Sequence, residues 1–141
     1  MARLAGVAMA LAVAGAHVAD QGGVTAFTAP DWLGWAYRLI EVGGVLVAVT
    51  LLWPRLARLG WAAGVLLGVG PLIGYLASRT VGVPGDPGDV GNWSDWVGNL
   101  SLVIEAGFIA VSAGMLWACW RRPSSTAGSG DRTAELVHGS P

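Results

Sequence analysis

Lysine is absent from this chain, cysteine occurs once (Cys119), and charged side chains make up only 12% of its 141 residues. A lone cysteine excludes an internal disulfide and any cysteine-based metal cluster. Charge at about half the share usual in soluble domains cannot coat a water-facing surface of this size. Eight arginines against nine acidic residues give a formal net charge of −1, which offers nucleic acid no basic surface. The two histidines, His17 and His138, fall at opposite ends of the chain, so a bis-histidine haem site is not expected. No nucleophile–base pair, phosphate loop or zinc motif is present; no catalytic residue, metal ligand or resident cofactor is assigned.

What remains is apolar. Hydrophobic residues make up 54% of the chain and the mean hydropathy is +0.59. Four apolar stretches stand out, at about 4–19, 32–53, 59–78 and 96–119. A helix needs roughly 20 such residues to cross the ~30 Å hydrocarbon layer, and only the first stretch is short. The fold class expected is therefore all-α: an integral membrane bundle of four transmembrane helices over residues 1–122. The polar stretch 123–141 reads as a disordered cytoplasmic tail, because it has too little apolar surface to offset its ordering entropy. Glu135-Leu136-Val137 is a candidate docking motif within it.

Tryptophan and arginine agree with this map. Trp32, Trp35, Trp93 and Trp96 fall towards one side, and Trp53, Trp61, Trp117 and Trp120 towards the other, as expected of interfacial indoles. Arg3, Arg55, Arg58, Arg121 and Arg122 share one side, which the positive-inside rule makes cytoplasmic. Both termini are then inside, and the expected location is a bacterial inner membrane. A competing reading treats the first stretch as a signal peptide cleaved after Ala14-Gly15-Ala16, leaving three helices.

The second and fourth stretches repeat one another. Asp31-Trp32-Leu33-Gly34 matches Asp95-Trp96-Val97-Gly98, Ile40-Glu41-Val42-Gly43 matches Ile104-Glu105-Ala106-Gly107, and Trp53 matches Trp117 in the same register. This pattern suggests a duplicated helical hairpin with parallel halves, which requires the first helix to be retained. Gly60, Gly64 and Gly68, Gly70 with Gly74, and Ala106, Ala110 and Gly114 read as small-residue faces for close helix packing. Pro71 is expected to kink the third helix midway, because its ring removes a backbone donor.

Glu41 and Glu105 are the sharpest feature. Each lies nine residues past its leading tryptophan, roughly 13–14 Å along a helix and near the bilayer centre. An ionisable side chain at that depth faces the bundle and finds a partner. Equal depth allows the two carboxyls to face each other and share a proton, which would make an ion or proton site. Arg38, three residues before Glu41, breaks the symmetry, and its counterpart is Leu102; a structural salt bridge is the alternative. Tyr37, Ser101 and Ser112 are candidate hydrogen-bond partners, so the expected polar cluster is Arg38, Glu41, Ser101 and Glu105.

At the outer end, Arg79 within Ser78-Arg79-Thr80 is expected to cap its helix C-terminus, or else to bind an anionic headgroup or the neighbouring acidic loop. Asp86, Asp89, Asn92 and Asp95 do not have the spacing of a calcium loop. His17 reads as an interfacial polar residue.

The segment Ser78-Arg79-Thr80-Val81-Gly82-Val83-Pro84, the loop after it and the Trp96…Glu105 helix resemble a group of small four-helix membrane proteins of actinobacteria. The resemblance covers about residues 61–117 and implies a fold and a membrane location, without an activity. The function expected is a non-enzymatic multi-pass protein, with the lipid bilayer as its surroundings, serving as an accessory subunit beside other membrane subunits. The alternative is a small transporter or proton-handling protein using Glu41 and Glu105. A cofactor site between the helices is a third option.

Overall fold

The computed structural model describes residues 1–121. The tail from 122 onward, with its candidate docking motif, lies outside the described residues. The described chain forms α1 (Ala2–Asp20), α2 (Asp31–Leu52), a short 3-10 turn (Pro54–Leu56), α3 (Ala57–Thr80) and α4 (Trp96–Trp120). All four α-helices are long and apolar enough to cross a membrane. Their bounds fall within two residues of those read from the sequence.

Each helix ends for a local reason. After α1 the Gly23 N–H reaches back to the Val18 carbonyl at 2.8 Å, a closure that needs the positive φ of Gly22. α2 stops at Trp53, whose extended backbone suits a residue preceding Pro54. α3 runs unbroken through Pro71 and closes on Gly82 (φ +80°), which donates to the Ala77 carbonyl. Asp95 caps α4 by accepting from the backbone N–H groups of Val97 and Gly98.

The helices pack as two close hairpins, α1 on α2 and α3 on α4, and the α1–α4 and α2–α3 contacts between them are both sparser. The arginine end of the bundle is densely filled. Ala10, Val13, Val47, Ala48, Leu51, Trp61 and Phe108 form one buried cluster there. Trp61 is only 1% exposed, and its ring lies over Gly6. It is a core side chain and not an interfacial anchor; the other seven tryptophans are exposed. Arg3 donates to the Leu52 carbonyl at 3.3 Å and Arg121 stacks 3.6 Å over the Trp117 ring, at the same end.

The glycine stripes divide by environment. Gly60, Gly64 and Gly68 are buried, and a Cβ at any of them would collide with Leu51, Phe108 or Ile109. Gly70 and Gly74 instead face open space, and a Cβ on either would meet nothing within 4 Å. The expected packing face of α4 is not one: Ala106, Ala110 and Gly114 are exposed, because α4 turns its Gly98, Glu105, Phe108 and Ser112 edge inward.

This contrast is measurable. A Cβ at Gly44 would lie 2.7 Å from the Ala10 carbonyl oxygen and 2.8 Å from the Ala14 Cβ. Gly44→Ala is therefore expected to lower stability by about 1–3 kcal/mol by forcing α1 and α2 apart. Gly70→Ala is expected to leave stability unchanged or raise it by up to ~1 kcal/mol through reduced backbone entropy. Unfolding of the purified protein in maltoside micelles with added dodecyl sulfate reads both.

Candidate functional site

The half of the bundle opposite the arginines is polar and partly hollow. Here the last turn of α1 presents two polar side chains, His17 and Asp20, followed by Gln21 just after it, to α2 and α4. His17 is buried; its Nδ1 lies 3.0 Å from the Val13 carbonyl oxygen. A carbonyl only accepts, so Nδ1 carries a hydrogen and Nε2 is the nitrogen turned to the interior. Nε2 stands 3.7 Å from Oε1 of Glu105, within ion-pair reach and beyond a direct hydrogen bond. The Ser101 hydroxyl donates to the same oxygen at 2.6 Å. Glu105 is 1% exposed, and its Oε2 has no hydrogen-bond partner among the described residues.

Glu41 belongs to a different cluster. Arg38 Nη1 donates to its Oε2 at 2.6 Å, and the Gln21 amide donates to its Oε1. Arg38 also donates to the Ala26 carbonyl, which ties the α1–α2 connection to the pair. Among the described residues no hydrogen bond or ion pair joins Glu41 to Glu105, and each carboxyl has its own partners. The cluster Arg38, Glu41, Ser101 and Glu105 thus resolves into two pairs, Arg38–Glu41 and Ser101–Glu105, and only the second opens onto the main cavity. Tyr37 does not serve Glu41; it donates to Asp20, and its ring sits 5.5 Å from that of His17. Ser112 is fully buried with an unpartnered hydroxyl, two turns beyond Glu105 and away from its carboxyl.

That cavity, of about 880 Å³, lies between α2 and α3. Its deep polar wall is His17, Tyr37, Ser101 and Glu105, and its mouth is lined by Asp86, Asp89 and Asp95. Its flank is apolar. Leu39, Leu46 and Leu66 line it while also being exposed on the outer surface of the bundle, so the cavity opens sideways between the helices. Gly70, Pro71 and Gly74 make the α3 wall thin.

Arg79 organises the mouth. Its side chain is 5% exposed and forms ion pairs with Asp89 and with Asp95, the latter at 2.8 Å, while the guanidinium lies 4.6 Å from the centre of the Tyr75 ring. Of the two expectations for Arg79, the structure shows the pairing with the neighbouring acidic loop and not the helix cap, because two carboxylates outcompete carbonyl oxygens for a buried cation. Ser78 and Thr80 donate to the Tyr75 and Leu76 carbonyls within α3. The 81–95 loop is also fastened to α2, where Trp32 Nε1 donates to the Pro84 carbonyl at 2.9 Å.

Sequence reading missed His17, Asp20, Gln21 and Tyr37 as a set. The available signal was the spacing of His17, Asp20 and Gln21 at the end of an otherwise apolar helix. What it lacked was the depth at which that helix ends.

Asp95 has two duties, helix cap and partner of a buried cation. Asp95→Ala is expected to cost about 2–4 kcal/mol. Asp95→Asn, which keeps the cap, is expected to cost about half of that. Asp89→Asn should cost less than Asp95→Ala, since Asp89 is 37% exposed at its side chain. Thermal unfolding in micelles ranks the three, and equal losses for all would refute the double role.

Compared with known proteins, the chain matches no family model, no curated protein and no solved structure, so its chemistry rests on its own geometry.

Proposed function

We propose that this chain is a small multi-pass protein of the bacterial inner membrane that handles a proton or small ion at the His17–Glu105 pair, without enzymatic chemistry of its own. The observation that carries this reading is Glu105: a buried carboxyl beside an imidazole, with one oxygen unpartnered, at the wall of an 880 Å³ cavity. Imidazolium with carboxylate and imidazole with carboxylic acid have the same net charge. A proton therefore moves within the pair without changing the charge buried in the bundle, which keeps the transfer inexpensive in a low dielectric. Glu41 is the structural member, because Arg38 neutralises it permanently.

The reading takes the chain as two duplicated hairpins with both termini cytoplasmic. The clustering of Arg3, Arg55, Arg58 and Arg121 at one end supports the orientation. The duplication is supported by burial in register: Gly98, Glu105, Phe108 and Ser112 of α4 stand at the same spacing from Gly34, Glu41, Gly44 and Ala48 of α2, all buried. Retention of α1 is supported by its contribution of Ala10, Val13 and His17 to the interior. The resemblance to small four-helix actinobacterial membrane proteins is carried as part of this proposal.

A second reading, an accessory subunit of a larger membrane complex, is favoured by one observation. The sparse packing of α2 on α3 leaves a sideways opening that a partner helix could fill.

Reconstitution in liposomes under a pH gradient separates the two. Glu105→Gln keeps the side-chain volume and is expected to remain folded while losing most of the proton flux. Glu41→Gln is expected to retain flux per folded molecule but to lose about 1–3 kcal/mol of stability, since it strips a partly buried guanidinium of its counter-charge. Undiminished flux in folded Glu105→Gln would sink the proton reading and move weight to the accessory subunit.

A further inference from the structure

We infer that the cavity between α2 and α3 binds a lipophilic organic cation, a positive centre wrapped in hydrocarbon, that enters sideways from the membrane. The inference rests on the reading of Glu105 as a working site and adds the class of its ligand.

Charge decides the sign. Five carboxylates line the cavity, those of Asp20, Asp86, Asp89, Asp95 and Glu105, and Arg79 is its one arginine. Arg79 pairs with Asp89 and Asp95, although its Nε and Nη1 lack hydrogen-bond partners among the described residues. One guanidinium stands against five carboxyl groups, so the excess charge of the cavity is negative. Glu105 Oε2, in a residue 1% exposed, has no hydrogen-bond partner among the described residues, and Asp86 stands half-buried at the mouth. A buried unpaired acceptor at the deep wall and an excess of carboxylates at the mouth are complementary to positive charge.

The remaining walls decide the body of the ligand. Tyr37, Tyr75 and Trp32 bring aromatic rings to the cavity, and such surfaces attract organic cations. The flank of Leu39, Leu46 and Leu66 is apolar and open to the side where acyl chains would lie. A hydrated metal ion would find there no ring of oxygens to replace its water. A neutral hydrocarbon would leave the Glu105 oxygen unpaired. The volume of about 880 Å³ lies in the range of small-molecule pockets.

Tetraphenylphosphonium and tetraphenylborate test this directly, since they share a shape and carry opposite charges. Equilibrium dialysis of the full chain in maltoside micelles is expected to show saturable phosphonium binding at least about tenfold tighter than borate binding, a difference of ~1.4 kcal/mol. Glu105→Gln is expected to weaken phosphonium binding by a similar factor. Gly74→Leu fills the cavity from a position whose Cβ meets nothing within 4 Å. It is expected to abolish saturable binding at an unchanged unfolding midpoint, which keeps the test independent of folding. Borate bound more tightly than phosphonium, and lost in Gly74→Leu, would overturn the cationic class while leaving a ligand site in place. Saturable binding of neither ion, with proton flux through Glu105 intact, would overturn this inference alone. Absence of both binding and flux would overturn the underlying reading as well.

Discussion

The constraint on which this structure turns is that hydrocarbon offers no hydrogen bonds. A polar group among four helices apolar enough to cross a membrane either finds a partner in the bundle or, as with Glu105 Oε2 and the Ser112 hydroxyl, stays unpaired among the described residues. The end of α1 meets much of that demand. His17 reaches Glu105 on α4, while Asp20 and Gln21 reach Tyr37 and Glu41 on α2. The end of α1 thus ties α1 to α2 by hydrogen bonds and brings His17 within ion-pair reach of Glu105 across the two hairpins. Hydrophobic burial cannot do so, because lipid tails solvate leucine as well as a neighbouring helix does.

Packing follows from the same economy. Near the arginines, glycines at Gly6, Gly44, Gly60, Gly64 and Gly68 let backbones and large side chains approach to contact, and Trp61 and Phe108 fill what is left. In the other half, Gly70 and Gly74 have no opposing side chain, and the spacing between α2 and α3 becomes a cavity. The same residue type closes one half of the bundle and hollows the other. The difference is what stands opposite.

The two glutamates, each nine residues past a tryptophan, differ in their neighbours. Arg38 stands where α4 has Leu102, and it fixes Glu41 as one arm of a salt bridge. Glu105 lacks such a cation and is left with a serine hydroxyl and an imidazole. A permanent charge holds its partner; a titratable one leaves the carboxyl available. Burial without a permanent counter-charge is what sets Glu105 apart in the interior.

Much of the fold was legible in the linear order of residues. Apolar length defined four helices to within two residues, since spanning length is a one-dimensional property. The terminating roles of Pro54, Gly22, Gly82 and Asp95 emerged only from the backbone of the structure. The Arg38–Glu41 and Ser101–Glu105 pairs were visible because residues three and four apart share a helix face. The tertiary structure alone decided which helix meets which glutamate, that Trp61 is core and Arg79 is clamped by Asp89 and Asp95, and that Gly70 and Gly74 border a void. Those are relations between elements distant in sequence. They depend on the rotation and axial offset of each helix, and apolar composition barely constrains either when every helix is hydrophobic on most of its surface.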